Sequence, residues 1–171
     1  MVRSAVRLCL LGILLVSGCA TALSPEVRRE ATPIQGYAQV RESPETYRGK
    51  TLILGGEILE PRNRAEATVF AVLERPLDAF RRPREVDQTG GRFLVRFDRY
   101  LDPAVFAPGR QVTVAGVVTG TEAERVGEAS YTYVSLEGLE VHLWPPRQEW
   151  VDDPWYRYPW WYHPGLGHRP W

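Results

Sequence analysis

The sequence predicts a mainly β chain whose centre is a small closed barrel of five strands with one or two short helical turns. Three observations predict it. Between residues 51 and 143, five runs rich in Val, Ile, Leu and Phe are separated by clusters of Gly, Pro and polar residues. Glycines interrupt the first and last of these runs, as a barrel needs where strands bend sharply. Two short stretches between them carry helix start and stop signals only a few residues apart.

The chain begins with a different kind of segment. Arg3 and Arg7 form a basic start, and Leu8 to Val16 form an apolar run of nine residues. That run is too short to span a bilayer and reads as a secretory signal peptide over residues 1–18. Val16-Ser17-Gly18-Cys19 closes it. This tetrapeptide resembles the bacterial lipobox. The resemblance implies cleavage before Cys19, diacylglycerol on its thiol and an N-acyl chain such as palmitate on the new amino terminus. Two or more chains anchor stably, since each buried methylene contributes about 0.8 kcal/mol. Residues 19–36 show no sustained apolar period and read as the lipidated N-terminus and a tether.

The barrel is expected over residues 37–144. Ser43-Pro44 offers an N-cap followed by proline at the first helical position, and Gly49 offers a stop, so about one helical turn is expected. The first strand is Thr51 to Glu60, with a bulge or bend at Gly55-Gly56. Ala67 to Arg75 is the second. Arg92 to Asp98 is the third, with Phe93, Val95 and Phe97 on one face and Arg92, Leu94, Arg96 and Asp98 on the other. Asp102-Pro103 to Pro108-Gly109 repeats the helix signature. Arg110 to Thr119 is the fourth strand, with Val112, Val114 and Val118 on one face. Ser130 to Leu143 is the fifth. Val134 and Leu136 share one parity, while Leu139, Val141 and Leu143 share the other, so a bulge is expected at Gly138. Five strands with a short helical piece between the third and fourth match a barrel of OB type. An open sandwich is the alternative.

Residues 145–171 form a tail. From Trp144 to Trp171 the chain holds all six tryptophans, three tyrosines and six prolines. The prolines exclude regular helix and central strand. Three roles are open to the tail: packing on the barrel, contact with a partner, or contact with a membrane interface. For the last, Trp155, Tyr156, Tyr158, Trp160, Trp161 and Tyr162 are the candidate side chains, because Trp and Tyr favour that boundary.

Composition excludes several function classes. Without residues 1–18 the chain carries 19 basic and 21 acidic residues, a net charge of −2, which does not suit a nucleic-acid binder. Cys9 is lost with the signal peptide and Cys19 carries lipid, so no thiol remains for a disulfide, a metal or a nucleophile. The remaining serines are Ser24, Ser43, Ser130 and Ser135, and no G-x-S-x-G elbow is present. The histidines, His142, His163 and His168, lack metal-ligand spacing with each other or with Asp152 and Asp153. His142 alternates with Val141 and Leu143, which points it to solvent. No enzyme, metal site or bound cofactor is expected beyond the covalent lipid on Cys19. Arg81-Arg82-Pro83-Arg84 is the one basic cluster; contact with anionic head groups is open to it, at about 1 kcal/mol per arginine, but Glu85 and Asp87 follow at once and offset much of the charge, so it reads first as a solvated loop.

From Gly36 to Leu143, behind the lipobox, the chain resembles the Slp family of bacterial outer-membrane lipoproteins. The residues that carry the likeness are Tyr47-Arg48-Gly49-Lys50, Leu54-Gly55-Gly56-Glu57-Ile58, Arg75-Pro76-Leu77-Asp78, Gly91-Arg92-Phe93-Leu94, Tyr100-Leu101-Asp102-Pro103, Val114 to Gly120 and Leu139 to Trp144. The resemblance implies a starvation-inducible lipoprotein, anchored in the outer membrane and facing the periplasm, with a structural or stress-adaptive envelope role and no catalytic residue. Cys19 is the one functional residue it carries over. Ala20, in place of an aspartate, agrees with the outer membrane. The alternative is an OB-type binding module for envelope glycan or a partner protein of the envelope.

Overall fold

The computed structural model of the chain describes residues 22–63 and 66–146. Within them, three short helices, α1 (Pro25–Glu30), α2 (Tyr37–Glu42) and α3 (Pro44–Tyr47), precede five strands. The strands are β1 (Thr51–Asn63), β2 (Thr68–Glu74), β3 (Arg92–Phe97), β4 (Gln111–Val126) and β5 (Ala129–Leu143). They close a barrel in the order β1-β2-β3-β5-β4, with β4 returning to β1. Neighbours run antiparallel except β3 and β5, which are parallel from Phe93↔Val134 to Arg96↔Glu137.

The alternation in the sequence explains the core. Leu52, Leu54 and Ile58 of β1, Phe70 and Val72 of β2, and Phe93, Val95 and Phe97 of β3 all point inward. Val112, Val114 and Val118 of β4 and Val134 and Leu136 of β5 complete the set. Burying each such side chain contributes about 1.5–3 kcal/mol. Leu94, on the outer face as expected, is still buried, because Ala71 and Tyr133 cover it.

The expected bulge on β5 is present. Ala115 pairs with Glu140 and Gly116 with Gly138, which leaves Leu139 unopposed. The parity therefore flips, and Val141 and Leu143 pack on the core that Val134 and Leu136 reach from the other side of the bulge. A Cβ on Gly138 would collide with ring carbons of the buried Phe97, so this position needs glycine. At Gly55-Gly56 there is no register shift; the irregularity of β1 falls between Ile58 and Glu60. The pair serves close approach instead. A Cβ on Gly55 would collide with Leu77, and one on Gly56 with the carbonyl of Leu73.

Two helices occupy stretches where the sequence reading placed none. α1 lies within residues 19–36, read as a tether. Ser24 caps it by accepting from the Val27 N–H, Pro25 opens it, and Leu23 is buried against Ile53 and Ala115. α2 buries Tyr37 and Val40 in the barrel core. α3 is the expected single turn, and Gly49 ends it with a φ of 75°. Ser43, expected to cap it, makes no side-chain cap bond; it also ends α2 by donating its N–H to the Gln39 carbonyl, and its φ of −138° and ψ of 61° are not the extended backbone of an N-cap. Between β3 and β4 the expected helical piece is one turn closed by the Phe106 N–H on the Asp102 carbonyl at 2.9 Å. Pro103 and Pro108 leave no room for more. The turn still fills the barrel, since Phe106 stacks on Phe70 with centroids 5.4 Å apart. β4 and β5 run past the barrel as a hairpin turning at Gly127-Glu128, longer than expected at both ends of the turn. Among the described residues no helix is long and apolar enough to cross a membrane.

Candidate functional site

The site is a cleft of about 670 Å³ between the segment 28–38, β1 and the β2–β3 loop. Three local structures build it. Leu23 and Val27 anchor α1 on the outer face of the barrel, and the Ser24 N–H donates to the Glu140 carboxylate at 2.9 Å. The Thr32 N–H then donates to the Thr51 carbonyl at 2.8 Å, which lays residues 31–36 along β1. This brings Arg28 to the cleft.

The second wall is the loop 75–91. Pro76 ends β2, and Leu77 pairs with Pro83 across a tight turn. Asp78 organises the turn. One of its oxygens accepts from the Phe80 and Arg82 N–H groups, both at 2.8 Å, and its carbonyl accepts from Arg81. Arg81 takes a φ of 66°, the one non-glycine in the left-handed region among the described residues. The Thr113 hydroxyl donates to its carbonyl at 2.6 Å. Arg82 turns away from the cleft. Its guanidinium donates to Gln111 and to the Pro145 carbonyl and lies 5.4 Å from the Trp144 ring. The start of the aromatic tail is thus tied to the same loop.

The charges of the cleft are uneven. Arg28, Arg75, Arg81 and Arg84 line it, against one carboxylate, Glu74. Arg75 donates to the Val86 carbonyl at 2.6 Å. Arg28 keeps its Nε buried without a hydrogen-bond partner among the described residues. Glu74 is 7% exposed and accepts from the Gly90 N–H at 2.6 Å. Burial pushes its carboxyl above the usual range, opposed by that N–H and by Arg75. Burial likewise holds the Tyr37 phenol well above its ordinary value. This arrangement can hold an anion by charge and by guanidinium hydrogen bonds.

A raised carboxyl makes the folded state prefer its protonated form. Stability is then greatest below the ordinary carboxylate pKa and falls as the pH rises through it toward the raised value. Glu74→Gln is expected to raise the urea midpoint at neutral pH and to leave it unchanged below the carboxylate range, where wild-type Glu74 is itself neutral. Midpoints at the two pH values check this, and equal shifts at both would contradict it.

Cys19 and the six tail aromatics, Trp155, Tyr156, Tyr158, Trp160, Trp161 and Tyr162, lie outside the described residues. Of the basic cluster, Arg81 and Arg84 reach the cleft, whereas Arg82 is engaged elsewhere. Sequence reasoning missed Arg28, Glu74 and Arg75. His142 is not simply solvent-facing. Trp144 sits on it edge-to-face with centroids 4.4 Å apart, and the burial lowers its pKa. Ser135 donates to Glu122 at 2.6 Å. No cluster of three or more His, Cys, Asp or Glu side chains suited to a metal occurs among the described residues.

Comparison with known proteins agrees with the sequence. A model of the Outer membrane lipoprotein Slp family matches residues 16–167. The lipoprotein YeaY of Escherichia coli (strain K12) is 28% identical over 158 residues, covering 92% of this chain and 79% of that protein. The outer membrane protein Slp of the same organism is 24% identical over 114 residues, covering 67% of this chain and 60% of that protein. Among solved structures, the mitochondrial single-stranded DNA-binding protein Rim1 of S. cerevisiae is 15% identical with a TM-score of 0.36, covering 57% of this chain and 97% of that one. The protein is an outer-membrane lipoprotein. More narrowly, the chain belongs to the Slp family of such lipoproteins.

Proposed function

We propose that this is a non-enzymatic envelope protein, held to the outer membrane by diacylglycerol and an N-acyl chain on Cys19, with its barrel on the periplasmic face. The observation that carries the reading is the extent of the family match, which begins at Val16, crosses Cys19 and runs to residue 167. Residues 1–18 are then the signal peptide, 19–36 the lipidated approach, which includes α1, 37–144 the barrel and 145–171 the tail. The role is structural or stress-adaptive. The barrel is of OB type; the closed order β1-β2-β3-β5-β4 and the parallel β3–β5 pair support this. The tail aromatics, Trp155 to Tyr162, act as a second contact with the membrane interface. In support, Trp144 and Pro145, where the tail begins, are tied through Arg82 to the loop that faces α1.

Separation of inner and outer membranes on a density gradient, followed by protease treatment of intact and permeabilised cells, tests this reading. The protein is expected in the outer-membrane fraction, protected in intact cells and cut after permeabilisation. Cleavage in intact cells would overturn the periplasmic orientation, and recovery with the inner membrane would overturn the location.

A further inference from the structure

We propose that the arginine-lined cleft takes the phosphate of an anionic membrane lipid headgroup and so seats this side of the barrel on the bilayer. The proposal rests on the reading that Cys19 carries lipid. Four observations on different parts of the molecule support it.

The first is reach. Leu23 is fixed against Ile53 and Ala115, and only three residues lie between it and Cys19, a link of four Cα-to-Cα steps. At about 3.3–3.6 Å per residue, a fully extended link spans about 14 Å. A lipidated Cys19 therefore keeps the α1 face of the barrel close to the headgroups, whatever the remaining freedom of the chain.

The second is charge. Four arginines and one acidic residue line the cleft, and burial favours the neutral form of that carboxyl. Glu85 and Asp87, which offset the basic cluster in the sequence, do not line the cleft. The Asp78 carboxylate is occupied by two backbone N–H groups. The buried Arg28 Nε lacks a partner among the described residues, and a phosphate oxygen is the acceptor a guanidinium fits best.

The third is Phe80. It stands at the tip of the 77–83 turn, 82% exposed, beside Arg81. An exposed aromatic ring next to arginines is the combination by which interfacial segments enter the headgroup and acyl boundary. The fourth is rigidity. The turn is pinned by Asp78, by Leu77 and Pro83 against Gly55, and by Thr113 on the Arg81 carbonyl. The left-handed backbone of Arg81 is held by these contacts, so the backbone that carries Arg81 and Arg84 is placed before a ligand arrives.

The acylated full-length protein, reconstituted in vesicles, allows a direct test. Amide hydrogen exchange of residues 22–36 and 75–91 is measured in phosphatidylcholine vesicles and in vesicles of equal parts phosphatidylcholine and phosphatidylglycerol. The same is done for Arg81→Gln combined with Arg84→Gln, whose parent side chains are exposed. Phosphatidylglycerol is expected to slow exchange in both segments of the wild type. The double variant should lose that protection by about fivefold per arginine removed, while exchange in the barrel strands stays unchanged. Exchange that is indifferent to phosphatidylglycerol, in protein that still floats with both kinds of vesicle, overturns the proposal and leaves the anchor intact. Equal protection by millimolar glycerol 3-phosphate in phosphatidylcholine vesicles also overturns it, in favour of a soluble phosphate. Failure to float with either vesicle means that the anchor reading itself has failed, and the proposal falls with it.

Discussion

Replacing Tyr37 by alanine is expected to cost about 3–5 kcal/mol of folding stability. Tyr37 sits on α2, six residues that carry no sustained pattern, yet its side chain is only 2% exposed. Its ring lies 5.7 Å from that of Phe93, and its hydroxyl donates to the Arg92 carbonyl at 2.8 Å. Truncation opens a cavity between α2 and the barrel and leaves that carbonyl without this donor. Tyr37→Phe keeps the volume and should cost only about 1 kcal/mol. A small domain is stable by about 5–15 kcal/mol, so the alanine variant removes a large share of the total. Urea unfolding followed by circular dichroism measures both variants. If α2 were a loose extension of the tether, both would fall within about 0.5 kcal/mol of wild type, and the account of the barrel end would be wrong.

α2 carries little signal in the sequence, and the reason is physical. The strands were legible because a half-buried strand repeats its signal every second residue. Phe93, Val95 and Phe97 show it three times in six residues and all lie in the core. The bulge at Gly138–Leu139 was legible because two registers of apolar residues on one strand cannot both face inward without it. Helices of six residues repeat their signal once at most. α2 shows only Tyr37 and Val40, three apart, and that spacing is common by chance. α1 was readable in principle. Ser24-Pro25-Glu26 carries the same start signature as Ser43-Pro44-Glu45, with Arg28 and Arg29 in its last turn. Its apolar contacts, Leu23 and Val27, were too few to declare an amphipathic face.

The cleft was less legible than the core. Arg81 and Arg84 stand out as a run, but Arg28 and Arg75 are separated from them by tens of residues or by the Leu77–Pro83 turn. Only tertiary docking of α1 onto Ile53 and Ala115 brings Arg28 to the others. Glu74 reads as the polar end of β2, and nothing local marks it as buried. Its environment comes from Tyr37 and the Gly90 turn, both distant in sequence.

The largest functional effect is expected from Cys19→Ser. The serine hydroxyl differs from the thiol by one atom, and residue 19 precedes the strands, which begin at Thr51, so the barrel should fold unchanged. The modification depends on the thiol itself. On the proposed reading the two lipid groups are lost without it, and with them about 0.8 kcal/mol for every methylene that would be buried in the bilayer. What would remain is the contact proposed for the cleft and the tail, which is reversible. The variant should therefore move from a membrane-bound protein to one released by salt or by simple lysis. Intact mass of the protein purified from each membrane fraction, wild type beside Cys19→Ser, tests the central claim most directly. Wild type is expected to lack residues 1–18, to carry the added mass of a diacylglycerol and an acyl chain and to sediment with the outer membrane after a salt wash, while the variant carries neither group and does not sediment after that wash. A wild-type protein that is soluble and bears no added mass would contradict that claim.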